Sequence, residues 1–305
     1  MTIKAFIALT SMIFCLQSKV FAQTGSKKPE LNIAKIEELT GLKGNYNKSE
    51  GVFKVSFPRD DLEVKVGKVK LTPALGLTAW TAFTKTGDQV MAMGDIVMTE
   101  RQVNAVMDVA LKNGLEVTAL HNHFFQEEPR IFFMHIGGMG TEEFLAGAVG
   151  KVFAKLKETM KNPPAFPTAN IDPAKTKLTE QILVEVIGHA GELKNGVYKI
   201  SIGRPTKMHG YTMGKAMGVN TWAAFSGTDQ EALVIGDFAM YEDELQGVLK
   251  ALRKGNIQVV AIHNHMTHEK PRVVFLHYWG IGPAKSLAAS VKAALDTQPK
   301  SPLKK

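Results

Sequence analysis

The sequence predicts an α+β protein made by tandem duplication: a unit of strands, helix, hairpin and helix occurs twice, forming two pseudo-symmetric mixed or antiparallel sheets with helices. Three observations predict this. A shift of 142 residues, Gly76 onto Gly218, aligns 76–140 with 218–282 without a gap and leaves about a third of the positions identical. In each aligned stretch, apolar residues alternate with polar ones, change to helical spacing, and return to apolar runs around a charged turn. The composition, 45% apolar and 22% charged, is that of a globular protein. Two copies fall short of the three or more that a stacked solenoid needs.

The copies span 32–160 and 176–297. Between them, 161–175 contains Pro163, Pro164, Pro167 and Pro173, a stiff linker. Ahead of them, Lys4, the apolar run Ala5 to Leu16 and the small residues of Val20-Phe21-Ala22 mark 1–22 as a removed signal peptide, so the mature protein is expected to be exported, periplasmic or extracellular. The run is shorter than the roughly 20 residues of a transmembrane span, and no later segment reaches that length. Cys15, the only cysteine, leaves with the signal, which excludes disulfides, cysteine-held metal and thiol nucleophiles. Loss of Lys4 and Lys19 lowers the net charge from +8 to +6 (8 − 2), and no basic helix stripe or aromatic platform points to nucleic acid. The oligomeric state is not legible.

Within the first copy, Val52 to Phe57 alternates as a half-buried strand does, and Ala79 to Phe83 and Val90 to Val97 read as further strands. Thr99 followed by Gln102 is a capping-box pattern. It opens a helix whose buried stripe is Val103, Val106, Met107, Ala110 and Leu111, ending at Asn113-Gly114. The second copy repeats the stripe as Leu245, Val248, Leu249 and Leu252, ending at Gly255-Asn256. Val117 to Phe124 and Arg130 to Ile136 form a hairpin around Gln126-Glu127-Glu128-Pro129. Gly137-Gly-Met-Gly140 then leads into a helix with Phe144, Ala148, Val152 and Leu156 on its inner face.

The chemistry sits on the hairpins, HNHFFQEEPRIFFMH at 121–135 and HNHMTHEKPRVVFLH at 263–277. Residues i and i+2 of a strand share a face, so His121 and His123 point together. A turn centred on Pro129 sets position 123 opposite His135, on that same face. The same holds for His263, His265 and His277. Three neutral imidazoles suit a divalent metal, zinc first among them, and leave a position for water or substrate. Glu127 and Glu269 are candidates for a fourth ligand or a general base, and Arg130 and Arg272 for orienting a small anionic substrate. Asp95 and Asp237 read as turn residues or outer partners of a histidine, and Trp80 and Trp222 as core.

These residues also carry a family resemblance. Gly94-Asp95, Val117-Thr-Ala-Leu-His-Asn-His123, Glu127-x-Pro-Arg130, Phe133-x-His135 and Gly138-x-Gly140, with their second-copy counterparts, resemble the LppY/LpqO family of exported or lipid-anchored bacterial proteins. The resemblance covers nearly the whole mature chain and implies no established activity. A fainter similarity, of geometry alone, is to acetolactate decarboxylases, where a His-x-His pair and a later histidine hold zinc. Two functions remain open from the sequence: a metal-dependent hydrolase or lyase, and a non-enzymatic envelope protein that binds a ligand or partner and uses the histidines structurally.

Overall fold

The computed structural model describes residues 30–299; the expected signal segment 1–22 and Cys15 lie outside the described residues. The first copy runs α1 (Ile33–Thr40), β1 (Gly44–Asn47), β2 (Val52–Pro58), β3 (Lys65–Val66), β4 (Val69–Lys70), β5 (Thr78–Thr86), β6 (Gln89–Thr99), α2 (Val103–Lys112), β7 (Glu116–His121), β8 (Glu127–Glu128), β9 (Ile131–Gly140) and α3 (Glu142–Lys161). The second runs α4 (Glu180–Ile187), β10 (Gly191–Lys194), β11 (Val197–Gly203), β12 (Thr206–Met208), β13 (Tyr211–Met213), β14 (Asn220–Gly227), β15 (Ala232–Tyr241), α5 (Leu245–Lys254), β16 (Gln258–His263), β17 (Val273–Gly282) and α6 (Ala284–Leu295).

The sheets of the two copies join edge to edge. One twelve-stranded antiparallel sheet runs β1-β2-β5-β6-β9-β7-β16-β17-β15-β14-β11-β10, where the sequence suggested two. Pleat alternation gives this sheet a packed face and an open one. In β6, Val90, Ala92, Ile96 and Met98 are buried in the main core with the helix stripes, whereas Met91 and Met93 on the other face are exposed.

The seam between β7 and β16 pairs Leu120 with Ile262. Each strand is irregular here, shifting register between Val117 and Ala119 and between Val259 and Ala261. Helix amides satisfy the backbone groups the irregularity exposes. Asn104 on α2 bonds the Val259 N–H (2.9 Å) and carbonyl (3.2 Å), and Gln246 on α5 does the same for Val117 (3.1 and 2.9 Å). Each copy's helix therefore completes the other copy's strand. Arg253 adds a two-pronged bridge to Asp108, at 2.7 and 3.0 Å.

Half of the capping pattern is present: Gln102 Oε1 accepts the Thr99 N–H at 3.0 Å, while α2 begins only at Val103, and its stripe is buried as the spacing predicts. Phe144 departs from its predicted inner face. It is 48% exposed, and its ring lies over Gly114 and Gly140, where an added Cβ would stand 2.8 and 3.1 Å away. The true inner residues of α3 include Leu145, Val149, Val152 and Leu156.

Two small flaps cross the open face. In the first copy β8 leaves the hairpin and pairs with β3, and Leu62, Val64, Leu71 and Leu77 pack there on Val97, Ile131 and Phe133. In the second, β12 and β13 form the flap, and Met213 and Val219 pack on Tyr241, Val273 and Phe275.

Candidate metal centre

The histidines lie at the edge of these flaps. His123 stacks on Phe133 with ring centroids 3.3 Å apart, and His265 on Phe275 at 3.4 Å. Each flap's apolar cluster thus fixes the phenyl ring that presents a histidine. His121 lies 5.1 Å from His135 and 5.2 Å from His123 between centroids; His263 lies 4.7 Å from His277 and 5.1 Å from His265. Both predicted triads come together on the open face.

The register that brings them together differs from the predicted one. Ala119, not His123, stands opposite His135, and His121 stands opposite Phe133. The hairpin connection is longer than a turn at Pro129 because β8 is paired elsewhere. The slip is by an even number of residues, so the shared face survives.

Beneath each triad lies an aspartate. Asp95 is the cross-strand partner of both Trp80 and His135, and Asp237 of both Trp222 and His277. They are mid-strand residues 9% and 3% exposed, not turn residues. The signal was in the sequence: the alternation Val90, Ala92, Ile96, Met98 puts Asp95 alone among apolar residues on the opposite face. Trp80 and Trp222, expected in the core, instead lie half-buried on the open face under Lys54 and Lys199, whose ammonium groups stand 3.9 and 4.3 Å from the ring centroids.

The two sites differ in their hydrogen bonding. In the first copy, His121 Nε2 and His135 Nε2 are 3.0 Å apart, so the two imidazoles satisfy each other. In the second, Asp237 Oδ2 lies 3.8 Å from His265 Nε2 and Oδ1 lies 3.9 Å from His277 Nδ1, while Oδ1 also accepts the Leu276 N–H at 3.2 Å. His263 Nδ1 lies 3.5 Å from the Asn264 carbonyl, and its Nε2 is buried without a hydrogen-bond partner. Ligand atoms of Asp237, His263 and His265 lie within 4.8 Å of one another, a His/Asp cluster able to hold a metal ion. Burial pushes the Asp237 and Asp95 carboxyls above the usual carboxylate range, opposed by the neighbouring histidines. Burial also holds the His265 and His123 imidazoles below their ordinary value, which favours the neutral, ligating form.

The other predicted residues lie between β7 and β9 and between β16 and β17. Glu269, 6% exposed, accepts the Val273 N–H at 3.1 Å. Glu127 is held in β8 against β3 and is 8% exposed. Arg272 lines a cleft with His263, and its Nε is 3.9 Å from Glu242. Arg130 lines a different, smaller cleft.

The fold and site together define a duplicated, antiparallel α+β protein with a candidate His/Asp metal centre. The chain belongs to the family described as Domain of Unknown Function (DUF1259), whose profile matches it twice, over 34–155 and 181–297. Comparison with the curated proteins finds no match.

Proposed function

We propose that the second copy binds one divalent transition metal, zinc by its donor chemistry, through His263, His265 and Asp237, with His277 as a neighbouring donor. The observation that carries this is the orphaned His263 Nε2. A buried nitrogen without a partner is costly, and a ligand for it removes the cost. The donors fit: two imidazoles and a carboxylate make a set that zinc accepts with a position left open. A bound ion would supply Lewis acidity and an acidified water. The residues do the rest. Asn264 O holds the His263 ring through Nδ1, leaving Nε2 to ligate, and Phe275 fixes the plane of His265. Hydrolytic or lyase chemistry on a small molecule is the reaction class this suits, with Glu269, whose Oε1 accepts the Val273 N–H, as its candidate general base.

Several wider readings belong to the same proposal. The protein is exported, its parts are the two copies with the 161–175 linker, its two halves are related by a pseudo-twofold axis through the β7–β16 seam, and its motifs are of the LppY/LpqO kind. The second reading, structural histidines, is favoured in the first copy alone, where the bond between His121 and His135 closes the site.

Elemental analysis of untagged protein tests the proposal. About one metal per chain is expected in the wild type and in His121→Ala, and little in His263→Ala or Asp237→Asn. No stoichiometric metal in the wild type, after growth and dialysis with zinc, manganese, iron and copper in turn, would overturn it.

A further inference from the structure

Two clefts lie where the copies meet, and the duplication relates them. One, of about 610 Å³, opens at the start of β7; the other, of about 170 Å³, at the start of β16. Glu242, Gln246 and Arg272 in the first correspond to Glu100, Asn104 and Arg130 in the second. The difference in size has identifiable causes. Phe166 of the linker reaches into the lining of the small cleft, against Trp279 at 6.3 Å and with the Arg101 guanidinium 6.0 Å from its ring. The repeat places Gly137 where the small cleft has Trp279, and Val274 where it has Phe132.

The charges differ as well. The open cleft carries Glu116, Glu242 and Asp243 against Arg272, a formal excess of two negative charges (3 − 1). At the small cleft the counterparts of Glu116 and Asp243 are Gln258 and Arg101, so Glu100 is outnumbered by Arg101 and Arg130, an excess of one positive charge (2 − 1).

We propose that Phe166 is a built-in occupant of the first copy's cleft, and that the open cleft of the second takes a small ligand combining an aromatic ring with a cationic amine. Phe166 shows that a ring seats beside the lining the two clefts share, Val103 and Asn104 in the small one and Leu245 and Gln246 in the open one, and the three carboxylates set the sign of the charge there. This reverses the anionic ligand that Arg272 alone suggested, since Arg272 already faces Glu242 at 3.9 Å. His263 lines the open cleft, so the ligand would lie beside the proposed metal centre, a deepening of that reading. Ring and amine recognition do not themselves need the metal.

Benzylamine and benzoate, equal in ring and opposite in charge, are the probes. Each is titrated by ligand-observed NMR into the mature chain, chelator-treated and zinc-loaded, so that failure of ligand binding and failure of metal binding are read separately. Benzylamine is expected to bind once per chain, at least tenfold more tightly than benzoate, and to weaken at least fivefold in Glu242→Gln/Asp243→Asn. Phe166→Ala is expected to add a site that prefers benzoate, with Phe166→Leu as the folded control that keeps it closed. Benzoate binding the wild type as well as benzylamine does, or benzylamine binding unchanged by the double substitution, overturns the ligand class. No added site in a folded Phe166→Ala protein overturns the occupant role.

Discussion

Replacing Asp237 with asparagine separates the metal reading from a structural one. The side chain keeps its size and can still accept the Leu276 N–H that Oδ1 now accepts at 3.2 Å, but the charge facing His265 and His277 is gone. Zinc at a hundred times its Kd stabilises a folded protein by about 2.7 kcal/mol. For a chain of this length about 2 °C of Tm accompanies each kcal/mol, so the wild type should gain about 5 °C. Losing a charged donor at a cost of about a hundredfold in affinity brings the same zinc concentration down to the Kd, where the gain is about 0.4 kcal/mol, or under about 1 °C. Without metal the sign differs: a 3% exposed carboxylate is costly to keep ionised, so the asparagine protein should be at least as stable as the wild type. Thermal unfolding of chelator-treated protein, with and without zinc, reads both numbers. A variant that keeps most of the zinc shift, or one destabilised by several degrees without metal, would refute the argument.

Further predictions concern the frame that holds the site. Asp95 in the first copy has its carboxyl raised by burial, so its ionised form costs stability above that raised value and costs nothing below the ordinary carboxylate range; Asp95→Asn should stabilise at neutral pH, and urea titrations should show the gain vanish as the pH falls through that window. Asn104→Ala strands the N–H and carbonyl of Val259 at the seam and should cost about 2–6 kcal/mol in urea unfolding, at about 1–3 kcal/mol for each buried group. Gly236→Ala sets a Cβ 2.3 Å from both the Trp222 carbonyl and Tyr278 Oη, and should cost about 3 kcal/mol by overpacking. Gly147→Ala in α3 meets nothing within 4 Å and should gain about 0.5–1 kcal/mol by the same assay.

Much of the fold was legible because it is local. Helix stripes and strand alternation depend on neighbours in sequence, and the duplication showed each pattern twice. The shared face of the histidines was legible for a related reason: parity survives any even slip, although the register itself was misplaced by the pairing of β8 with β3. What was hidden is non-local. Nothing in a single copy says that β7 will pair with β16 rather than remain an edge, or that Asn104 and Gln246 will reach across to the irregular backbone of the other copy. Asp95 and Asp237 read two ways, as turn residues after a glycine or as partners of a histidine, because their cross-strand partners, His135 and His277, are about forty residues away.

The duplication makes the second copy's site distinctive, because the first copy is its internal control. Identical histidine triads end in different bonding, closed between His121 and His135 and open at His263 Nε2. Corresponding clefts end in different volumes, with Phe166 in the smaller. Both asymmetries favour the same copy, and they have different physical origins: one is imidazole hydrogen bonding on the open face of the sheet, the other a linker side chain and the bulk of Trp279. Phe166→Ala therefore should enlarge the first cleft without changing the metal stoichiometry, which stays at about one per chain by elemental analysis. A rise to two would mean that the linker residue, rather than the bond between His121 and His135, keeps the first triad closed.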